Sequence, residues 1–284
     1  MQASDAPVVD IDLRSFSKNG TAILGQIKIT LSRAETLALV GPSGIGKTSL
    51  LRIIAGIEKG FEGDRRVKGK IAMVFQEPTL LPWRTVRDNI TIPTGVDART
   101  AEDALADVGL AGRGSDYPGQ LSLGQQRRLS LARAFAVKPT LLLLDEPTGD
   151  LDTRSTDTVM KILNDLNKKE KITMIMVTHD VSLKYFADRV VRMGDGKVVR
   201  IDTINPQSKA RIVEELEGRC RANAQGLGVG QLTIREGIPA QEIEKSNRAQ
   251  TPNNFKCLLQ DNRTAMTAVR EPSAYPILAE RFTN

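Results

Sequence analysis

The sequence has few of the residues that build metal clusters, disulfide frameworks or base-stacking surfaces. Its 284 residues include two cysteines, Cys220 and Cys257, and a single histidine, His179. Two isolated cysteines are too few for a zinc cluster or a disulfide framework, so we interpret them as incidental reduced thiols. Aromatic residues form 4% of the chain and do not interleave with the basic residues. This composition argues against a nucleic-acid-binding surface.

Long hydrophobic runs are also missing. No apolar stretch approaches the roughly 18–20 residues that a membrane-spanning helix needs. The first residues, MQASDAPVVD, are acidic where a secretory signal is basic and then apolar, so we expect a cytoplasmic protein. The net charge of +6 is spread among interspersed acidic and basic residues, and we interpret it as a solvated surface.

Strand and helix patterns alternate along the chain and predict an α/β fold. Helical patterns cover 153–170 and 182–190, and helices and loops occupy about 77–137. Apolar runs predict strands at TLALV (36–40), KIAMVF (70–75), TLLLLDE (140–146) and KITMIMVTH (171–179), followed by a hairpin at VVRMGDGKVVRI (190–201). The alternation predicts a mostly parallel, doubly wound sheet with a helical insertion.

The alternation of strand and helix patterns ends at about residue 203. SKARIVEELEGRCRA (208–222) has the pattern of one amphipathic helix, and no sustained periodicity follows it. We therefore predict one domain over 1–202 and a C-terminal appendage over 203–284, partly helical or loosely structured, whose function the sequence does not reveal.

A phosphate-binding loop is predicted at residues 41–48, GPSGIGKT, which matches G-x-x-x-x-G-K-[ST] between a strand and a helix. Its glycines allow successive backbone N–H groups to point at phosphate oxygens. Lys47 would reach the β- and γ-phosphates of a nucleotide, and the Thr48 hydroxyl would bind Mg²⁺. The candidate nucleotide contacts are Gly41, Pro42, Ser43, Gly44, Ile45, Gly46, Lys47, Thr48 and Ser49.

Polar residues at the ends of three predicted strands complete a candidate catalytic site. Asp145 would hold Mg²⁺, and Glu146 is placed to polarise an attacking water. His179 could bond the γ-phosphate and orient that water, and Gln76 could contact Mg²⁺ or the water. A second glycine-containing segment, LSLGQ at 121–125, precedes an arginine-rich helical pattern and raises the question of a second phosphate site.

The order of these motifs resembles that of the ATP-binding cassette (ABC) ATPases, over about residues 8–202. The matching segments are the Walker A loop (GPSGIGKT), the Q-loop (VFQEP), the signature motif (LSLGQ), Walker B (LLLLDE), the D-loop (GDLD) and the H-loop (VTHD). The resemblance implies a P-loop NTPase core with an antiparallel N-terminal β region and a helical subdomain. It also implies a head-to-tail homodimer, in which Ser122, Gly124 and Gln125 contact the partner's ATP.

The sequence departs from the family pattern at three places. Leu123 stands where the signature usually has glycine, and the D-loop has Asp150 where the commoner SALD sequence has alanine. Family members stack adenine on an aromatic residue near the first strand; Phe16 is the nearest candidate, although alignment to Walker A points closer to Lys18.

The resemblance also implies an ATPase that powers transport through separate transmembrane permease subunits, at the cytoplasmic face of the membrane. EPTLLPWRTV (77–86) is similar to the docking segment of nitrate, sulfonate and taurine importers, although Leu80, Leu81 and Trp83 could simply pack the helical subdomain. DEPTGDLD is closer to the lipoprotein-release and macrolide-exporter group. We expect an importer of a small sulfonate-like anion, with a solute-binding protein as a further candidate partner; an exporter, a soluble ABC machine and a non-hydrolysing ATP-binding module are the alternatives.

Overall fold

The structure is a computed structural model, and it describes residues 6–180 and 183–224. Cys257 and the predicted loosely structured part of the appendage, from residue 225 onward, lie outside the described residues. Within the described ranges the strands are β1 (Val9–Lys18), β2 (Thr21–Leu24), β3 (Ile27–Leu31), β4 (Thr36–Val40), β5 (Glu62–Val67), β6 (Ile71–Val74), β7 (Leu141–Asp145), β8 (Thr173–Val177), β9 (Arg189–Gly194) and β10 (Lys197–Thr203). The α-helices are α1 (Lys47–Ala55), α2 (Asp88–Thr94), α3 (Ala98–Asp107), α4 (Leu123–Phe135), α5 (Thr153–Glu170) and α6 (Pro206–Ala224).

A six-stranded sheet with the order β10-β9-β4-β8-β7-β6 forms the centre of the fold. All neighbours in it are parallel except β10, which pairs with β9 in antiparallel fashion. Every residue of β7 and β8 is buried, because both faces of these strands are covered. That burial explains the continuous apolar runs in their sequences, and the predicted parallel sheet is confirmed.

A second, antiparallel sheet lies at the N-terminal part of the fold. Strand β1 pairs with β2, β3 and β5, all antiparallel. Along β1 the residues alternate between buried and less buried, as expected for a strand with one face on the core. Buried residues of this sheet and of α1 belong to one hydrophobic cluster with β4, β7 and β8, so the two sheets share a core.

The segment between β6 and β7 contains α2, α3 and α4, in agreement with the predicted helical insertion. Helix α4 packs on both α2 and α3 and also contacts β6, so it joins the helical part to the central sheet. The helix predicted over 182–190 is a single 3-10 turn at Leu183–Phe186 instead, because the chain must enter β9 at Arg189.

The helix predicted at 208–222 is present as α6, and it packs against α5. Val213 and Leu216 of α6 are buried in the same hydrophobic cluster as Val159 and Leu163 of α5. The predicted appendage, 203–284, includes this helix. The structure adds that the helix packs on α5, because its apolar face needs a partner.

A buried ion pair fixes α6 on α5. The Arg219 guanidinium donates two hydrogen bonds to the Asp157 carboxylate, from Nε at 2.9 Å and from Nη2 at 2.8 Å. The two side chains are 8% and 7% exposed. A buried charge that loses its partner is costly, so this pair ties the stability of the two helices together.

Replacing Arg219 by methionine should lower the free energy of unfolding by about 3–5 kcal/mol, because it leaves Asp157 buried without a counter-charge. Urea denaturation measures this. The matched control is Arg221→Met on the same helix, whose ion pair with Glu217 spans 3.9 Å with Arg221 69% exposed. The control should cost less than about 1 kcal/mol. Equal losses for the two variants would contradict a special role for the Arg219–Asp157 pair.

Candidate active site

A cleft of about 1080 Å³ opens beside the predicted phosphate loop. Residues from six separate parts of the chain line it: Thr21–Ile23, Ser43–Ser49, Gln76, Glu146, His179 and Asp195–Gly196. The structure thus brings the Walker A, Q-loop, Walker B and H-loop segments to one place. Of the predicted loop residues, Gly41 and Pro42 do not line the cleft.

The phosphate loop has a backbone conformation that requires glycine at its end. Gly46, which immediately precedes α1, has a φ of 96°, and a Cβ there would lie 2.5 Å from Leu24 Cδ2. Gly44 also has a positive φ, 80°, and a Cβ there would meet no atom within 4 Å, because this part of the loop faces open space. Helix α1 begins at Lys47, so its unpaired N–H groups end at the cleft.

Lys47 is held inside the loop that precedes it. Its side chain is 5% exposed. Its Nζ donates hydrogen bonds to the carbonyl oxygens of Gly41, at 2.8 Å, and Pro42, at 2.7 Å. An ammonium has three donors, so one remains for a phosphate oxygen, and the loop backbone fixes where that charge sits.

A hydrogen bond joins the phosphate loop to the end of β7. The Thr48 hydroxyl donates to Asp145 Oδ1 at 3.1 Å, and Asp145 is 3% exposed. Burial raises the pKa of the Asp145 carboxyl above its ordinary value, and the hydrogen bond from Thr48 partly opposes this. A buried carboxylate with a raised pKa and no ion-pair partner among the described residues is a candidate ligand for a cation.

Glu146 and His179 form a pair at the adjoining strand ends. Glu146 has a φ of 48°, and its backbone N–H donates to Val177 O at 3.0 Å, at the end of β8. His179 Nδ1 lies 2.7 Å from Glu146 Oε2. The histidine ring is 64% exposed and the glutamate side chain 16%. This arrangement orients a carboxylate and an imidazole toward the same cleft.

The residues of the signature motif, 121–125, do not line the cleft. Ser122 is the N-cap of α4: its Oγ accepts from the Gln125 N–H at 3.3 Å, and Gln125 Oε1 accepts from the Ser122 N–H at 2.9 Å. This reciprocal capping box is a strong start for a helix. Leu123 is 45% exposed. The cleft lining does not include Ser122, Gly124 or Gln125, so the chain does not bring them to its own phosphate loop.

Adenine stacking by Phe16 is contradicted by the structure. The Phe16 side chain is 2% exposed and packs in the hydrophobic cluster beneath the antiparallel sheet. A ring with no free face cannot stack on a base. The pairing of β1 with β5 is irregular between Leu13 and Ser15, and the buried positions of β1 change there from 9, 11 and 13 to 16.

Part of the cleft wall is formed by residues that no sequence motif marks. Thr21, Ala22 and Ile23 lie on β2, just after the turn at Asn19 and Gly20, and Asp195 and Gly196 form the turn between β9 and β10. All four turn residues have positive φ values. Asn-Gly and Asp-Gly are typical hairpin turn sequences, so each turn was predictable, although its position beside the cleft was not.

Replacing Asp145 by asparagine should stabilise the ligand-free protein by about 0.5–2 kcal/mol, because it removes a buried charge but keeps an acceptor for Thr48. The carboxyl pKa is raised in the folded state, so the gain is present at pH values above that folded-state pKa, where the wild-type group is charged. It should vanish as the pH falls below the unfolded-state carboxyl pKa, because the group is then protonated in both states. Chemical denaturation at several pH values measures it.

The contrasting control is Asp157→Asn, at an equally buried aspartate that has an ion-pair partner. That change should destabilise the protein. A loss of stability in both variants would contradict our account of Asp145.

Comparison with known proteins agrees with this geometry. The family model for the ABC transporter matches residues 24–149. ABC transporter H family member 2 of Dictyostelium discoideum is 40% identical over 227 residues, which are 71% of this chain and 44% of that protein. The aliphatic sulfonates import ATP-binding protein SsuB 2 of Pseudomonas syringae pv. tomato is 40% identical over 190 residues, which are 66% of this chain and 81% of that protein.

A solved structure shares the fold as well. The ATP-binding cassette MJ0796, in a dimeric post-hydrolysis state bound to ADP and Pi, superposes with a TM-score of 0.64 at 28% identity. The match covers 69% of this chain and 99% of that one. No helix among the described residues is long and apolar enough to cross a membrane. The chain belongs to the ABC transporter family and contains its ATP-binding domain.

Proposed function

We propose that this chain hydrolyses ATP and that two copies do so together to power a membrane transporter. The observation that carries the proposal is the Glu146–His179 pair at 2.7 Å, which lines the same cleft as the phosphate loop. Phosphoryl transfer is mainly a matter of positioning and charge stabilisation. The cleft supplies both, because backbone donors and Lys47 lie opposite a carboxylate that can accept a proton from water.

The residues at the loop fit a Mg²⁺ ion. Thr48 and Gln76 line the cleft, and Asp145 lies directly behind Thr48, to which it is joined by their 3.1 Å hydrogen bond; all three offer hard oxygen ligands. No group of three or more histidine, cysteine or acidic side chains in the described ranges could hold a metal alone. This suits Mg²⁺, which usually takes only one or two protein ligands beside phosphate oxygens and water. When bound, Mg²⁺ neutralises charge on the β- and γ-phosphates.

Glu146 acts as the general base in this proposal. Its carboxylate accepts the proton of a water that attacks the γ-phosphate, while Lys47 and the loop N–H groups hold the phosphate oxygens. With a carboxylate bonded to Nδ1, the exposed Nε2 of His179 faces away from Glu146 and is free to bond a phosphate oxygen or the water.

The proposed assembly is a head-to-tail homodimer. Ser122, Gly124 and Gln125 lie outside the chain's own cleft, and Ser122 starts a helix whose positive end is exposed. A second copy would supply these residues to the γ-phosphate across the interface. The dimeric form of the related cassette MJ0796 supports this arrangement.

The proposed contact with permease subunits lies at the loop that follows the Q-loop. Asn89 is fully buried, and its side chain bonds Leu81 N at 2.7 Å and the carbonyls of Leu81, Arg84 and Thr85 at 2.9–3.2 Å. This fixes the loop, while Trp83 remains 70% exposed. An exposed tryptophan on a rigid loop is typical of a protein-binding anchor, whereas Leu80 packs on the core.

The cargo is the least constrained part of the proposal. Relatives named as aliphatic sulfonate importers, together with the similar docking segment, favour import of a small sulfonate-like anion over export. The chain would then work at the cytoplasmic face of the membrane, with a solute-binding protein on the other side. Other subunits would select the cargo, and this chain would supply the energy.

Replacing Glu146 by glutamine should lower the rate of phosphate release by about 10²–10⁴-fold while ATP still binds, because the shape is kept and the base is lost. Steady-state phosphate release and ATP binding by calorimetry measure the two effects. Glu214→Gln, an exposed position on α6, is the matched control and should have the wild-type rate. ATP binding without phosphate release in the wild type would contradict hydrolysis and favour a non-hydrolysing ATP-binding module.

A further inference from the structure

The most deeply buried charge of the described chain belongs to Arg127, which no step of the proposed mechanism uses. Its side chain is 2% exposed, and it is the largest of the fully buried side chains. No acidic group of the described residues lies within ion-pair distance of it, and its Nε has no hydrogen-bond partner. A buried cation without an ion-pair partner lowers the stability of the fold, so we looked for a function that Arg127 performs.

The guanidinium of Arg127 joins two motif loops, the Q-loop and the D-loop. Nη1 donates to the carbonyl oxygen of Phe75 at 2.9 Å and also to that of Gln76. Nη2 reaches the carbonyl oxygen of Gly149 at 3.4 Å. The planar fork of an arginine fixes the directions of such bonds, which a lysine at the same position would not do.

Both loops lead directly to groups that line the cleft. Gln76 itself lines it. Gly149 donates its N–H to Glu146 O at 3.0 Å, so the carbonyl held by Arg127 belongs to a turn that begins at the proposed general base. One side chain therefore spans from the backbone of Gln76 to the turn that carries Glu146.

The far end of the D-loop is also held by α4. Asp152 caps α5 by accepting from the Ser155 N–H at 3.0 Å and from the Ser155 hydroxyl at 2.7 Å. A Cβ on Gly124 would lie 2.7 Å from Ser155 Oγ, so the signature backbone rests against this cap. Helix α4 thus contacts both ends of the D-loop: Arg127 bonds Gly149 at the start of the loop, and Gly124 lies against Ser155 just after the end of the loop.

We propose that Arg127 is a positioning residue that holds the backbone of Gln76 and the turn after Glu146 at fixed positions relative to α4. The proposal rests on the proposed function, since these positions matter for hydrolysis. Burial lowers the pKa of the Arg127 guanidinium, and the nearby charge of Asp150 opposes this. Asp150 is one of the two D-loop residues that differ from the commoner SALD sequence, and its negative charge offsets part of the cost of the buried arginine.

The role of Arg127 is in turnover rather than in nucleotide binding. None of its hydrogen bonds goes to a residue of the phosphate loop, which holds the nucleotide. A change at Arg127 should therefore lower kcat and leave the ATP affinity nearly unchanged. A misplacement of about 1 Å in a catalytic group can cost about a hundredfold in rate.

The test compares Arg127→Met and Arg127→Lys with Arg128→Met in the full chain. Arg128 is the matched control, because it is the next residue of α4 and donates to the carbonyls of Val108, at 2.8 Å, and Gly109, at 3.1 Å, within the helical part. We expect Arg127→Met to lower kcat by about 10- to 100-fold with less than about a threefold change in ATP affinity, as for a lost transition-state interaction. Arg127→Lys should recover only part of the rate, and Arg128→Met should stay within about threefold of wild type.

Hydrogen exchange supplies a readout that does not depend on turnover. In Arg127→Met, peptides that cover 75–80 and 146–152 should both exchange faster, whereas Arg128→Met should leave both unchanged. Equal kinetic losses in the two arginine variants, or unchanged exchange in both peptides of Arg127→Met, would overturn the role of Arg127. Absence of phosphate release by the wild type would instead contradict the proposed function, and the exchange data alone would then decide the positioning claim.

Discussion

The alignment of parallel strand ends at one edge of the central sheet is the constraint on which the site depends. The register pairs Asp145 of β7 with Val177 of β8, so Glu146 and His179 leave the sheet side by side. Strand β4 runs parallel to β8 and delivers the phosphate loop to the same edge. The Thr48–Asp145 hydrogen bond then joins the two halves of the proposed nucleotide site. Chemistry that is spread over more than a hundred residues of sequence is thereby gathered in one cleft.

Charge is buried here for two different purposes. The Arg219–Asp157 pair is satisfied within the fold and holds α6 on α5. Asp145 and Arg127 have no such partner among the described residues; Asp145 lies at the proposed Mg²⁺ site, and Arg127 lies between two motif loops. In the first case burial serves stability. Burial of Asp145 and of Arg127 lowers stability, and we attribute it to the proposed functions of these residues in binding and in positioning loops.

How far the sequence predicts this structure depends on the range of the interactions. Continuous apolar runs identified β4, β7 and β8, and the helical pattern at 153–170 matches α5 residue for residue, because these signals are local. The role of the 195–196 turn as a cleft wall depends on contacts with distant strands, which no local pattern carries. The adenine-stacking prediction for Phe16 was wrong because an irregularity in β1 between Leu13 and Ser15 puts position 16 on the buried face of the strand. The partner of α6 was also missed, since an amphipathic pattern does not say what the apolar face will meet.

The central claim is that the hydrolytic site is completed by the signature residues of a second copy. Light scattering of the Glu146→Gln variant, with and without ATP, tests this most directly, because the variant should hold ATP without consuming it. We predict that ATP converts the monomer to a dimer and that adding Ser122→Arg abolishes the dimer while each cleft still binds ATP. A protein that remains monomeric with ATP bound, or that dimerises equally well with Ser122→Arg, would contradict the shared site.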